Sequence, residues 1–476
     1  MLAPVSARQL TLAATILGSS LAFIDTTVVI VALPTIEREL DLGLAGQQWI
    51  FLAYSLTLAA LYLTGGAVGD RYGRRQTFAA GVVGFALASA LAGAAPTGAW
   101  LIAARALQGV GGAFLTTNSM ALLRASYGDE AGKAIGLWTA FTSVSTLGGP
   151  LVGGALVEWV SWRWIFFLNL PLAAGALLLA YLGRTREQPT PRVGRLDLPG
   201  AVLTAAGFGS LTFALVEEQW WALGIAAPLL VLFVLVERRS PTPMLPLTLF
   251  RRHNFTVVNA QTFVVYGSLY GFFVYFTIYV QFLGLSPFEA GFLNIPSSVA
   301  LIFLAARFGA LSDRLGPRIF LGSAPLVMAA GTLLFMLVDD QDEVWTIGLA
   351  AIVVFALGLA MLVAPITATA LKAVPKEFAG IASGVNSTVS RLGSLITVAV
   401  IGSVITIVFG HDRAVPLAKD QVGSVLGDDS VTAFRAGMLV SVGLAVVGAA
   451  LGLAVSNREA RGEGETAMAG PALGTE

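Results

Sequence analysis

Fourteen long apolar stretches divide the chain, at 10–32, 47–68, 78–95, 99–122, 134–158, 164–183, 198–217, 221–236, 256–282, 288–311, 318–338, 345–371, 380–408 and 434–456. A helix needs about 20 mostly apolar residues to cross the hydrocarbon core of a bilayer. The chain is 56% hydrophobic and 12% charged, where soluble domains carry about 45–50% and about 25%. A soluble core has no room for this excess, because its surface must be covered by polar groups; lipid accepts it. The expected fold class is an all-α polytopic membrane protein with fourteen spans. The stretch 221–236 is short enough to be re-entrant. The stretch 380–408 exceeds one upright span, so its first turns are expected at the interface.

Several function classes drop out. Net charge is zero, so no basic field points to nucleic acid. The chain has no cysteine, which removes disulfides, thiolate metal sites and cysteine nucleophiles. Gly128 to Lys133 reads GDEAGK, one residue short of a phosphate-binding loop. Neither H-E-x-x-H nor G-x-S-x-G occurs. The reading is of a chain that is not an enzyme, with no metal and no cofactor. The first apolar stretch contains Asp25 and lacks a small-residue cleavage site, so it reads as a retained first helix.

Lys and Arg in the loops set orientation. With the N-terminus in the cytoplasm, twenty of them fall inside and five outside. Both termini are then expected in the cytoplasm, with the chain in a bacterial inner or plasma membrane. The polar, Gly-rich tail 457–476 is expected to be disordered.

One segment occurs twice. Gly66 to Arg75 reads GAVGDRYGRR and Gly309 to Arg318 reads GALSDRLGPR. Each falls in a short loop between two spans, which is what a duplicated transporter predicts. Gly73 gives a tight turn its backbone freedom. Asp70 and Asp313 can meet basic groups and helix N-termini, and Arg71, Arg74, Arg75 and Arg314 hold the turns at the cytoplasmic surface.

GGAVGDRYGRR resembles the signature loop between helices 2 and 3 of the major facilitator superfamily. LAFIDTTVVIVALPTI resembles the first helix of its drug:proton antiporters. LIAARALQGVGGAF resembles their helix 4 motif, and GGPLVGGALVEWVSWRWIFFLNLP their helix 5 antiporter motif. YVQFLGLSPFEAGFLNIP is similar to helices 7 and 8 of the fourteen-helix subfamily. Ser145 departs from that pattern, standing where the helix 5 motif usually has glycine. The resemblance implies a six-helix bundle over 1–183 and two extra central helices within 184–255. A second bundle follows over 256–456, and then the tail. It also implies proton-driven export of lipophilic or cationic small molecules by alternating access. The alternatives are import of a solute and export of one endogenous metabolite. Partners are the transported molecule, protons and lipid; the chain needs no protein partner and is expected to be a monomer.

A charge near the bilayer centre costs about 2.5–3.5 kcal/mol on insertion scales, so it usually faces a cavity or a partner. Asp25 lies roughly 10 Å and Arg105 roughly 9 Å below the outer surface, at about 1.5 Å per residue. They are expected to form a charge pair or water-bridged network, with Asp25 carrying the proton and Arg105 resetting it. The resemblance implies that both helices line the central cavity. Arg391, in NSTVSRLG, is a weaker candidate.

Tyr266, Tyr270 and Phe273 share one helical face, suited to flat apolar bodies and organic cations. The resemblance puts that helix at the cavity. Gln281, Asn294, Asn118 and Trp138 are further candidate substrate contacts. Gly149, Pro150, Gly153 and Gly154 interrupt helix 5. Gly149 and Gly153 form a small-residue face that permits close packing, expected at the seam between the halves.

Overall fold

The computed structural model describes residues 6–183, 197–240, 247–375, 378–410, 417 and 424–460. Its long helices are α1 (Ala7–Leu40), α2 (Gly43–Tyr72), α3 (Arg74–Gly93), α4 (Gly98–Tyr127) and α5 (Ala131–Trp159). Then come α6 (Asn169–Leu182), α7 (Leu198–Val216), α8 (Leu223–Arg239), α9 (His253–Phe282) and α10 (Ile295–Leu315). The last four are α11 (Pro317–Phe335), α12 (Leu349–Lys372), α13 (Ala379–Phe409) and α14 (Val425–Leu453). Buried backbone amides must be hydrogen-bonded in lipid, which is why the apolar runs form helices. Thr and Ser inside them bond back to carbonyls one turn earlier, as Thr26 does to Ala22 at 2.8 Å.

Among the described residues, twelve helices are long and apolar enough to cross a membrane. Fourteen were expected. The helix that falls short of that measure is α4, although it is 30 residues long; α5, of 29 residues, includes positions outside the described set. Arg105, Gln108, Asn118 and Arg124 make α4 more polar than its neighbours. The short stretch 221–236 belongs to a helical segment, Trp220–Arg239, long and apolar enough to cross a membrane, and the long one is a continuous 31-residue helix. The tail also differs at its start. Asn457–Ala460 is a helical turn, tied down where Asn457 accepts from the Arg318 amide at 3.2 Å and Glu459 from that of Asn254 at 3.2 Å. Residues 461–476 lie outside the described set, as do the loop arginines at 184–196.

Two halves result. In the first, α1 packs on α5 and α6, and α4 on α2 and α3; in the second, α9 packs on α13 and α14, and α11 on α12 and α14. The extra pair packs on itself, and α7 also leans on α2 and α13, one from each half. Trp49 donates to Glu217 at 2.7 Å, and the Ser403 hydroxyl to the Leu215 carbonyl. The pair therefore straddles the boundary between the halves.

Candidate functional site

Asp25 and Arg105 meet directly, with Nη1 of the arginine 2.5 Å from Oδ2 of the carboxylate. Asp25 Oδ1 accepts from Gln108 at 2.7 Å and from Asn169 at 3.2 Å. Arg105 also donates to Gln108 Oε1 at 2.7 Å and to the Ile50 carbonyl at 3.1 Å. Its guanidinium lies 4.4 Å from the centre of the Tyr54 ring. Ser89 accepts from Asn169 at 3.0 Å and donates to the Phe166 carbonyl at 2.8 Å. Asp25 is 2% exposed, and Arg105, Gln108, Asn169, Ser89 and Tyr54 are 0% exposed.

The pair was expected to line the central cavity. It is instead enclosed within the first half, by α2, α3, α4 and α6. The reason is satisfaction: two buried charges need more partners than each other, and these helices provide them. Three donors converge on one carboxylate, which suits its ionised form, an acceptor only. Gln108, Asn169 and Ser89 were not singled out from the sequence, although Gln108 stands three residues after Arg105, on the same helical face.

The repeated segments form matching turns. Asp70 and Arg71 end α2, Gly73 turns, and Arg74 and Arg75 begin α3; Asp313 and Arg314 end α10 before Gly316. Gly73 has φ 103° and Gly316 φ 96°, a region open to glycine alone at low cost. Asp70 pairs with Arg74 at 2.9 Å. Pro317 occupies the equivalent of Arg74, and Asp313 instead meets Lys372 at 2.7 Å. Arg75 donates to the Gly183 carbonyl at 2.7 Å, fixing the end of α6.

Helix α5 is divided differently from expectation. A side chain at Gly149 would meet Thr27, and one at Gly153 would come within 3.1 Å of the Val28 Cα. That face packs on α1, inside the first half. Pro150 and Gly154 face the other half: Gly154 abuts Pro287 and Phe288, and Gly291 abuts the Pro150 carbonyl. The Glu158 carboxylate accepts from the Phe288 amide at 3.1 Å. Gln281 joins the same closure, donating to the Val31 carbonyl at 2.9 Å. The halves thus meet tightly at the end of the bundle remote from Gly73 and Gly316.

The expected substrate contacts separate into two groups. Asn118 is buried and donates to the Gly65 and Phe114 carbonyls; it clasps α4 to α2. Trp138 donates to Ser19 at 3.1 Å within the first half. Asn294 donates to the Ala290 carbonyl one turn back, at 3.0 Å. Backbone carbonyls and a hydroxyl consume these donors, and Gln281 likewise, so none faces open space as a ligand contact.

Tyr266, Tyr270 and Phe273 remain partly open. The opposite face of α9 is core, where Phe272 stacks on Phe355 at 4.3 Å and Tyr279 on Phe434 at 3.8 Å. Tyr266 borders a cavity of about 120 Å³ with Thr367, Ser383, Asn386, Ser387 and Ser390. Tyr270 lies 6.2 Å from Phe51 of the other half. Arg391 stands over the Tyr62 ring at 5.4 Å, also across the halves. Arg307 is exposed on α10, where its long stem can carry the charge to the surface.

Two helical bundles, each marked by one copy of the same glycine turn and packed together at the end remote from those turns, are the architecture of a polytopic membrane carrier. The sequence matches the Major Facilitator Superfamily over residues 15–398. The chain belongs to that superfamily, and it is a multi-pass membrane transporter. It is 37% identical to the multidrug resistance protein Stp of Mycobacterium tuberculosis over 84% of this chain and 76% of that one. It is 36% identical to the puromycin resistance protein pur8 of Streptomyces alboniger, over 88% and 87%. Identity is 32% to the tetracenomycin C resistance and export protein of Streptomyces glaucescens, over 82% and 75%. In fold it is similar to a bacterial homologue of the human lysosomal transporter Spinster, captured inward-facing. There the TM-score is 0.66 at 19% identity, over 96% of this chain and 97% of that one.

Proposed function

We propose that this chain is a proton-coupled antiporter that exports lipophilic or cationic small molecules from a bacterial cell by alternating access. One observation carries the reading: a carboxylate and an arginine held at 2.5 Å, fully enclosed among the helices of one half. A charge placed there is costly and is rarely kept without a use. Asp25 takes up a proton, which weakens its hold on Arg105; Arg105 then restores the anion. The relatives named for drug and antibiotic resistance support export as the direction.

In this reading α4 and α5 complete a set of fourteen spans, because each exceeds the length a bilayer requires. Both termini lie in the cytoplasm. The chain works as a monomer, with the proton gradient as its energy source. Export of a single metabolite is the second reading, favoured by relatives named for one compound, puromycin or tetracenomycin C.

The test uses inside-out membrane vesicles and a panel of flat aromatic dyes. An acid interior should drive dye inward, and nigericin should abolish it. Accumulation driven by an alkaline interior would contradict antiport and indicate import.

A further inference from the structure

The chain carries three arginines within its spans, and their surroundings differ. Arg105 is bound to Asp25. Arg307 is exposed on α10. Arg391 is twelve residues into α13, roughly 18 Å along the helix at 1.5 Å per residue, and is half-buried between the two bundles. Among the described residues its guanidinium makes no ion pair and no hydrogen bond. What surrounds it is aromatic. Tyr62 of α2 lies 5.4 Å away, and Tyr270 of α9, one helical turn along from the cavity-lining Tyr266, is partly open. Phe51 extends this wall beside Tyr270. The residue before it, Ser390, borders the cavity that Tyr266 and Asn386 share.

We propose that Arg391, Tyr62 and Tyr270 form a binding site for flat aromatic compounds that carry an anionic oxygen, a carboxylate or an ionised phenol. The inference rests on the export reading, keeps its flat lipophilic substrates and replaces its cationic ones with anionic ones. A guanidinium offers planar, forked donors that fit a carboxylate. Rings from both halves supply faces for a flat body. A half-buried cation with no counter-ion among the described residues repels a cationic ligand and attracts an anionic one, more strongly than it would in bulk water. Because Tyr62 and Arg391 come from opposite halves, a ligand held by both would be released or re-formed as the halves move.

The test compares fluorescein with rhodamine 6G, which share a tricyclic core and differ in charge. Equilibrium binding to protein in nanodiscs is read by fluorescence anisotropy. It needs no proton gradient, so its result is independent of coupling and direction. Wild type should bind fluorescein more tightly than rhodamine 6G. Arg391→Gln should weaken fluorescein roughly 10- to 100-fold, as expected for a lost charge-assisted hydrogen bond, and leave rhodamine 6G unchanged or tighter. Arg391→Lys should recover part of the loss, and Tyr62→Leu should keep the preference for the anion. The proposal is overturned if wild type binds neither dye or prefers the cation. It is also overturned if Arg391→Gln weakens both dyes equally with an unchanged melting temperature. Matching effects of Tyr62→Leu and Arg391→Gln would overturn it as well, by marking a latch between the halves.

Discussion

Asn169 donates to the one carboxylate oxygen of Asp25 that Arg105 leaves free, at 3.2 Å and from a helix 144 residues further along the chain. The amide and the guanidinium together define the acid's surroundings: one oxygen faces a charge, the other faces neutral donors. A change at either side should therefore have separable consequences.

Asn169→Ala removes the neutral side. It leaves Asp25 Oδ1 with Gln108 alone and Ser89 with one donor fewer. A lost hydrogen bond to a buried polar group costs about 1–3 kcal/mol. The expected result is a lower melting temperature in detergent. Adding Ser89→Ala should cost less than its effect alone, because both residues serve one network.

Arg105→Ala removes the charged side. Breaking a buried pair by deleting one partner costs about 3–5 kcal/mol, because the remaining charge is left without compensation. Arg105→Ala should express poorly. Arg105→Lys keeps the charge but cannot reach Asp25, Gln108 and the Ile50 carbonyl together, so it should fold and lose most transport. Thermal melting and dye uptake separate the two effects.

Gly73→Ala and Gly316→Ala test the repeated turn. Each places a side chain at φ near 100°, which costs about 1–3 kcal/mol. Gly316→Ala should be the worse, since its added carbon would also lie 2.7 Å from Asn457. Unfolding of the two purified variants gives the comparison.

Gly154→Val tests closure between the halves. The added atoms would run into Pro287 and Phe288, so that end of the bundle should stay open. The chain has no cysteine, so single cysteines placed beside Glu158 and Phe288 report accessibility with no background. Labelling should rise in the variant and transport should fall.

What the sequence made legible follows from cost. Asp25 and Arg105 stood out because charge in an apolar run is expensive, and their contact could be expected from matched depth. The repeated glycine turn was legible because only glycine suits its backbone. Gln108, Asn169 and Ser89 were missed because a neutral amide or hydroxyl in a membrane helix is common, and its partners come from other helices. The same blindness misplaced Asn118, Asn294 and Gln281: periodicity gives a face, but not whether a carbonyl waits there. Gly149 and Gly153 pack closely, but on Thr27 and Val28 of α1 and not on the second half. The polarity of α4 serves the buried network and brings that helix below the apolarity of the other spans.

The central claim is that Asp25 carries the proton. Purified protein in liposomes with an internal pH dye, given a flat aromatic substrate, measures proton movement directly. Wild type should move protons against substrate. Asp25→Asn should move none, yet still exchange labelled for unlabelled substrate across the membrane. Proton movement in Asp25→Asn equal to wild type would contradict the account.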